Sequence, residues 1–339
     1  MTPAPLTRAL RRSLLLIGLC AALTTAADEP RTLGPFDAEC QVAFRPDGKA
    51  LAVTVRGGSA ALIDLGTGRR TVRYAGTRQE GGSSIAFSPD GSRLAVATAE
   101  GMVRIYEAQS GKELAICAHG GHLRTVAFLA DGKALITAGD RPLAPDDTPD
   151  PAAPTARIWS AATGAKELDV DGRSPNTSSG AAAAPAGRLV AVVRGDGKLG
   201  LYDLAAKKRV EVELGEPSHV GAFSPDGKLL AVLGGKDAAE LTLIDVHAGK
   251  VQKTLGKRAA AKPAPDGALA FTPDGKQVAR IQRGAPGVAL WDLASSERRE
   301  LATPPAASLS FAPDGKLLAV GLRSGKVLLL DPSKATKTP

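Results

Sequence analysis

The residues able to do chemistry are few and scattered. Asp140, Asp146, Asp147 and Asp150 share one short stretch and offer carboxylate oxygens of the kind calcium binds. The spacing and closing glutamate of a helix-flanked calcium loop are missing, and prolines interrupt the run. A solvated acidic loop is therefore the stronger reading. Asp169-Val170-Asp171-Gly172 is too short a fragment to hold a cation. The four histidines (His119, His122, His219, His247) offer few ligands for a transition metal, and Cys20, Cys40 and Cys117 show no CxxC spacing. No GxSxG, HExxH or Ser-His-Asp order is present, so neither nucleophilic nor zinc catalysis is expected. The expectation is no catalytic residue, no metal and no cofactor.

The elements that would position a site are written as repeats. One phrase runs from Val42 to Val53 (VAFRPDGKALAV) and returns from Ile85, Val126, Gly221, Leu269 and Leu309, with a worn copy from Ala182. Its turn glycines are Gly48, Gly91, Gly132, Gly187, Gly227, Gly275 and Gly315, separated by 43, 41, 55, 40, 48 and 40 residues. Seven units at this period point to a propeller or a solenoid. Val42 and Phe44 alternate with Ala43, and Leu51, Val53 and Val55 alternate beyond the turn, which is the period of strands. Pro-Asp-Gly suits the turn: Pro sets φ, Asp bonds the local backbone, and Gly takes the left-handed position.

A third strand follows in each unit. It ends at Ile63-Asp64, Tyr106-Glu107, Trp159-Ser160, Tyr202-Asp203, Ile244-Asp245, Trp291-Asp292 or Leu330-Asp331. A fourth follows a further turn, as at Glu113 to Ala118. Four short strands taken seven times make an all-β, seven-bladed propeller of four-stranded antiparallel blades. The seventh unit ends at a polar segment, 332–339, with no fourth strand, while Arg31-Thr32-Leu33 has no hairpin partner. This N-terminal strand is expected to complete the last blade, which removes two open edges.

These motifs name a family. The Phe223-Ser-Pro-Asp-Gly-Lys228 turn, the Trp291-Asp292 strand end, the Thr163-Gly164 turn and Gly121-His122 ahead of Val126 together resemble WD-repeat proteins over about Arg31 to Asp331. The resemblance gives structural roles to the turn residues Asp47, Gly48, Asp90, Gly91, Asp226, Gly227, Asp274, Gly275, Asp314 and Gly315, and to Trp291 and Asp292. It gives His122 a hydrogen-bonding role and leaves His119 as a loop residue. One Gly-His and one full Trp-Asp pair are few for the family, so the blades are expected to rest mainly on apolar packing. The resemblance implies protein partners and names none.

Composition agrees. Hydrophobic residues make up 43 %, which excludes wholesale disorder. The seven Phe, three Tyr and two Trp are nearly all used in two repeat columns, leaving Phe36 and Tyr74. Little aromatic surface remains for bases, sugars or a flat cofactor. The formal charge is +8, but Lys49, Lys133, Arg188, Lys228, Lys276 and Lys316 each follow a turn glycine, and no basic stripe interleaves with aromatics. No nucleic-acid partner is expected. Asn176-Thr177-Ser178 fits the glycosylation sequon.

Residues 1–27 read as a secretory signal peptide. Arg8, Arg11 and Arg12 precede the apolar run Ser13 to Leu23, and Thr25-Ala26-Ala27 offers small residues for cleavage. Arg11-Arg12 is also compatible with twin-arginine export. The mature chain, 28–331 with its tail, is expected to be a monomeric propeller in a periplasmic or extracellular space, with Cys40 and Cys117 unpaired on different blades.

Three insertions depart from the short period: Asp140 to Ala156, Asp169 to Ala186, and Gly256 to Ala268. In propeller topology they emerge on one face, where a rigid scaffold carries its binding loops. Solvated filler is the competing reading. The leading expectation is an exported, non-catalytic scaffold binding protein through Arg124, Arg173, Lys257, Arg258 and Lys262. The alternatives are a lactonase-like or quinoprotein-like propeller enzyme and a component of an envelope transport complex.

Overall fold

The computed structural model describes residues 30–337, apart from 37–38, 56–58, 75–81, 99, 141–152, 172–177, 195, 216–217, 235–238, 258–266 and 283–285. Every element below lies in one compact unit, Arg31–Pro339. Among the described residues no helix is long and apolar enough to cross a membrane.

The strands fall where the alternating residues lie. After β1 (Arg31–Leu33), blade 1 is β2 to β5 (Val42–Phe44, Ala50–Val55, Ser59–Asp64, Arg70–Tyr74). Blade 2 is β6 to β9 (Gly82–Phe87, Arg93–Thr98, Met102–Glu107, Glu113–Ala118). Blade 3 is β10 to β13 (Leu123–Phe128, Ala134–Gly139, Ala156–Ser160, Lys166–Asp171). Blade 4 is β14 to β17 (Ser178–Ala183, Leu189–Arg194, Lys198–Asp203, Lys208–Glu213). Blade 5 is β18 to β21 (His219–Phe223, Leu229–Leu233, Ala239–Asp245, Lys250–Lys257). Blade 6 is β22 to β25 (Gly267–Phe271, Gln277–Gln282, Val288–Asp292, Arg298–Leu301). Blade 7 holds β26 to β28 (Ala306–Phe311, Leu318–Leu322, Val327–Leu330). The last strand, β29, is Thr336–Lys337.

Each blade is an antiparallel meander, and its strands pair in chain order. Blade 7 takes its fourth strand from the other end of the chain, because β1 pairs with β28 through Arg31↔Leu329, Thr32↔Leu328 and Leu33↔Val327. Ring closure by the N-terminal strand is thus as the sequence indicated. The polar segment after Asp331 is more ordered than its composition suggested. A short 3-10 helix, Pro332–Lys334, leads into β29, which pairs with β25 as a fifth strand of blade 6.

The core is divided among the seams between blades. Among the described residues seven apolar clusters are present, one per seam. Both repeat columns face the preceding blade: Phe44 and Ile63 meet Ala319 and Val327 of blade 7, while Phe128 and Trp159 meet Val103 and Ile105 of blade 2. This explains the economy of aromatics, since six of the seven blades place one ring near the axis and every blade places one bulky side chain farther out. The two aromatics outside the columns also serve seams. Tyr74 is fully buried beside Tyr106, with ring centroids 5.3 Å apart, and its hydroxyl donates to the Ala108 carbonyl. Phe36 packs in the cluster between blades 7 and 1 under the Arg70 guanidinium.

The Pro-Asp-Gly turns touch head to tail around one face. A Cβ added at Gly48 would sit 3.6 Å from Pro313 Cδ, and the same holds for Gly132 against Pro89 and Gly275 against Pro225. Gly48 has φ 70°, a backbone that L side chains avoid. The contact is missing at Gly187, because blade 3 carries Ala130 where the other turns carry Pro or abut one. The same seam lacks its ring near the axis, since Ala183 stands in the phenylalanine column.

Candidate functional site

The meander sends the connections between second and third strands, and those between blades, to one face. The Pro-Asp-Gly turns and the turns between third and fourth strands go to the other. The strand ends that bound the three insertions lie on the first face: Gly139 and Ala156, Asp171 and Ser178, Lys257 and Gly267.

Arg124 is the member of the predicted set whose side chain is described, and a bulge aims it. Leu123 pairs with Gly139 and Thr125 with Ala138, so Arg124 is the extra residue between them. A bulge turns its residue out of the sheet. The same register shift occurs at Ser83, Ser179, Val220 and Ala307, and among the five Arg124 alone is charged. Its Nε lies 3.3 Å from Asp140 Oδ1, at the root of the first insertion, and both side chains are about one-third exposed. A second pair on this face, Arg323 Nε to Glu39 Oε2 at 3.5 Å, links the turn after β27 to the lead-in of blade 1. Lys257 ends β21, while Arg173, Arg258 and Lys262 lie outside the described residues, as do Asp146, Asp147 and Asp150. The structure therefore brings Arg124 and Asp140 together and does not describe the rest of the set as a cluster.

The opposite face holds two open clefts that the sequence reading did not single out. One of about 480 Å³ lies between the turns of blades 2 and 3, with Asp90, Arg93, Lys133 and Glu167 in its walls. The other, about 350 Å³, lies between blades 1 and 2 and shares Asp90 and Ser92. Asp90 is committed to its own turn: it accepts from Ser88 Oγ, Ser92 N and Ser92 Oγ. Those bonds hold its carboxyl down at about 2. Asp226 and Asp274 are held low in the same way by Ser224 and Thr272. The turn acids therefore act on the backbone of their own turns.

The histidine assignment needs correction. His122 is exposed, and the buried histidine of this connection is His119, 1 % exposed. Its Nδ1 lies 2.9 Å from Thr137 Oγ1, and that oxygen accepts from Trp159 Nε1 at 2.8 Å. The reason is the path of the chain. The Gly101 carbonyl accepts from both His119 N and Gly120 N, which pins the segment to blade 2 and turns His119 inward before Gly121-His122 begins. Burial and the neighbouring Arg157 charge push the His119 pKa down to about 4, so the ring is neutral. The network has one copy because Thr137 does. The same turn-relative position is Val53, Val96, Val192, Val232, Arg280 and Val320 in the other units. Trp291 stands opposite Val278, and its Nε1 makes no hydrogen bond. Trp291 thus serves packing, as expected for blades held by apolar contact, and Asp292 caps its turn by accepting from Ala294 N and Ser295 N.

Three arginines on second and third strands were not foreseen. Arg157, Arg194 and Arg280 are 9, 8 and 7 % exposed. Arg157 donates to the His119 carbonyl and pairs with Asp169. Arg194 pairs with Asp196 and Glu211. Arg280 reaches Glu240 of blade 5 at 2.8 Å, across a seam. A buried charge needs such a partner; Asp196 lies in the turn two residues after Arg194, while Asp169, Glu211 and Glu240 sit on other strands, out of reach of a linear motif. Cys40 and Cys117 are buried, and burial pushes both thiols up to about 12, far from the reactive range. Among the described residues no three His, Cys, Asp or Glu side chains gather as metal ligands would.

A family model matches one part of this seven-bladed ring. Residues 74–130, from the end of β5 through blade 2 to the first turn of blade 3, match the model described as the Anaphase-promoting complex subunit 4 WD40 domain. The chain is a seven-bladed WD-repeat propeller. No curated protein matches it. The matched WD40 unit contains the turn Ser88-Pro89-Asp90-Gly91 and the seam residue Tyr106.

Proposed function

We propose that this WD-repeat propeller is an exported, non-catalytic scaffold that binds a protein partner on its insertion-bearing face. One observation carries the reading: the long departures from the repeat period all root on the face where the bulge turns Arg124 outward. A ring whose seams are packed by its scarce aromatics is a rigid support, and variable loops on such a support are where recognition lies. Arg124, with Arg173, Lys257, Arg258 and Lys262 from the insertions, supplies cations for an acidic partner surface. Export rests on residues 1–27, with the mature chain beginning at Asp28.

Alanine replacement of the five cations tests the face. Recovery of the native partner should fall at least about tenfold, the factor that 1.4 kcal/mol makes, and unchanged recovery refutes the assignment. Intact-mass measurement of the exported protein tests the rest: a chain starting at Asp28 supports the reading, and an uncleaved chain overturns it.

A further inference from the structure

Blade 6 differs from the other blades in carrying a fifth strand. Its outer strand β25 pairs antiparallel with β29 through Arg299↔Lys337 and Glu300↔Thr336. Lys337 Nζ adds an ion pair to Glu297 Oε1 at 2.7 Å. The approach to this edge is well anchored. Asp331 accepts from Ser333 N and Ser333 Oγ, Pro332 is buried, and Ala335 packs against the cluster between blades 6 and 7. The strand itself is weakly held. Thr336 and Lys337 are both exposed, and the ion pair is one whose lysine is 78 % exposed. Such a pair contributes little, and two cross-strand pairs add little more. Blade 6 keeps four strands of its own when β29 leaves.

We infer that the outer edge of blade 6 is a strand-binding site for an extended, lysine-bearing peptide of a partner protein, and that β29 is its displaceable internal occupant. Three features support this. The edge already accepts a backbone ladder in a defined register. Glu297 selects a cation beside that ladder. Among the described residues the tail pairs with Arg299 and Glu300 of the four-residue strand Arg298–Leu301 and leaves Leu301 unmatched, so a longer strand has further backbone to pair with. Adding a strand to an exposed edge gives affinity through main-chain bonds and selectivity through side chains. This site does not rest on the insertion-face reading, because it lies on the rim of the ring.

A labelled peptide of residues 331–339 provides the test, followed by fluorescence anisotropy. Its binding is compared between the full chain, a chain ending at Lys334, and the full chain carrying Thr336→Pro, which disrupts the internal ladder. Freeing the edge should tighten peptide binding about tenfold if the tail occupies it nine-tenths of the time. Glu297→Lys in the shortened chain should weaken binding about two- to fivefold. A peptide with Lys337→Glu should recover it. Equal affinity for the full chain and both freed forms, no saturable binding to either freed form, or no recovery in the charge swap each overturns the inference. Far-UV circular dichroism of each variant confirms that the ring is intact, and a ring lost on removal of β29 also overturns it.

Discussion

Leu33 is the antiparallel partner of Val327, and through this pair the two ends of a ring of nearly 300 residues are held in one sheet. Both side chains are buried in the cluster between blades 7 and 1. The seam is reinforced near the axis, where Ser308 Oγ donates to the Cys40 carbonyl at 2.8 Å. Deleting residues 28–38 removes the strand and exposes β28 and part of blade 1. The melting temperature should fall sharply in a thermal scan. Leu33→Ala should cost about 2–3 kcal/mol in denaturant unfolding. A neutral deletion contradicts the closure.

Thr137 is the hub of a network that has one copy in the ring. Its hydroxyl lies between His119 Nδ1 and Trp159 Nε1. Thr137→Val keeps the shape but strands two buried polar groups, and should cost about 1–3 kcal/mol by chemical unfolding. Val96, at the matching position of blade 2, has no such network, so Val96→Thr should bring no gain.

Acid should find the same place. The folded pKa of His119 is depressed to about 4 by burial and by the Arg157 charge, with Asp169 opposing. A depressed histidine favours the folded state while neutral, so its contribution is complete above the unfolded value of about 6.5 and is lost as pH falls toward 4. The loss amounts to up to about 3 kcal/mol across that window. In His119→Gln the decline of stability between pH 6.5 and 4 should be shallower than in the parent, measured by urea midpoints. Equal slopes contradict the assignment.

The seam between blades 3 and 4 is the least furnished. Ala130 replaces the turn proline, Gly187 meets nothing within 4 Å, and Ala183 replaces the ring near the axis. The turn at Ala130 keeps the backbone pattern of its relatives: Leu129 N bonds to Ala134 O and Gly132 N to Leu129 O, as Arg45 N does to Ala50 O and Gly48 N to Arg45 O. Ala130→Pro should therefore raise stability by about 0.4–1 kcal/mol, chiefly by restricting the unfolded chain. A lower melting temperature refutes the equivalence of the turns.

Much of this ring is legible from residues such as Phe44, Gly48 and Trp159, because each blade solves the same local problem with the same residues at the same spacing. The closure is legible for the same reason: Arg31-Thr32-Leu33 ends like other fourth strands and lacks a hairpin partner. What escaped depends on the path of the chain. His119 stands three residues before the histidine that the Gly-His motif marks, and the Gly101 carbonyl, on another turn, decides which one goes inside. Strand β29 is two polar residues long and has no apolar alternation to announce it. Arg280 and Glu240 are 40 residues apart and meet only because blades 5 and 6 are neighbours. Of the candidate face, Arg124 is placed by a bulge that no pattern of residues signals.

The account turns on which face meets the partner. Lysine-directed cross-linking of the native complex, read by mass spectrometry, separates the faces directly. Cross-links to the partner should arise from Lys257 and Lys262 on the insertion-bearing face. If they arise instead from Lys49, Lys276 and Lys316 beside the Pro-Asp-Gly turns, the binding face is the opposite one and the account is contradicted.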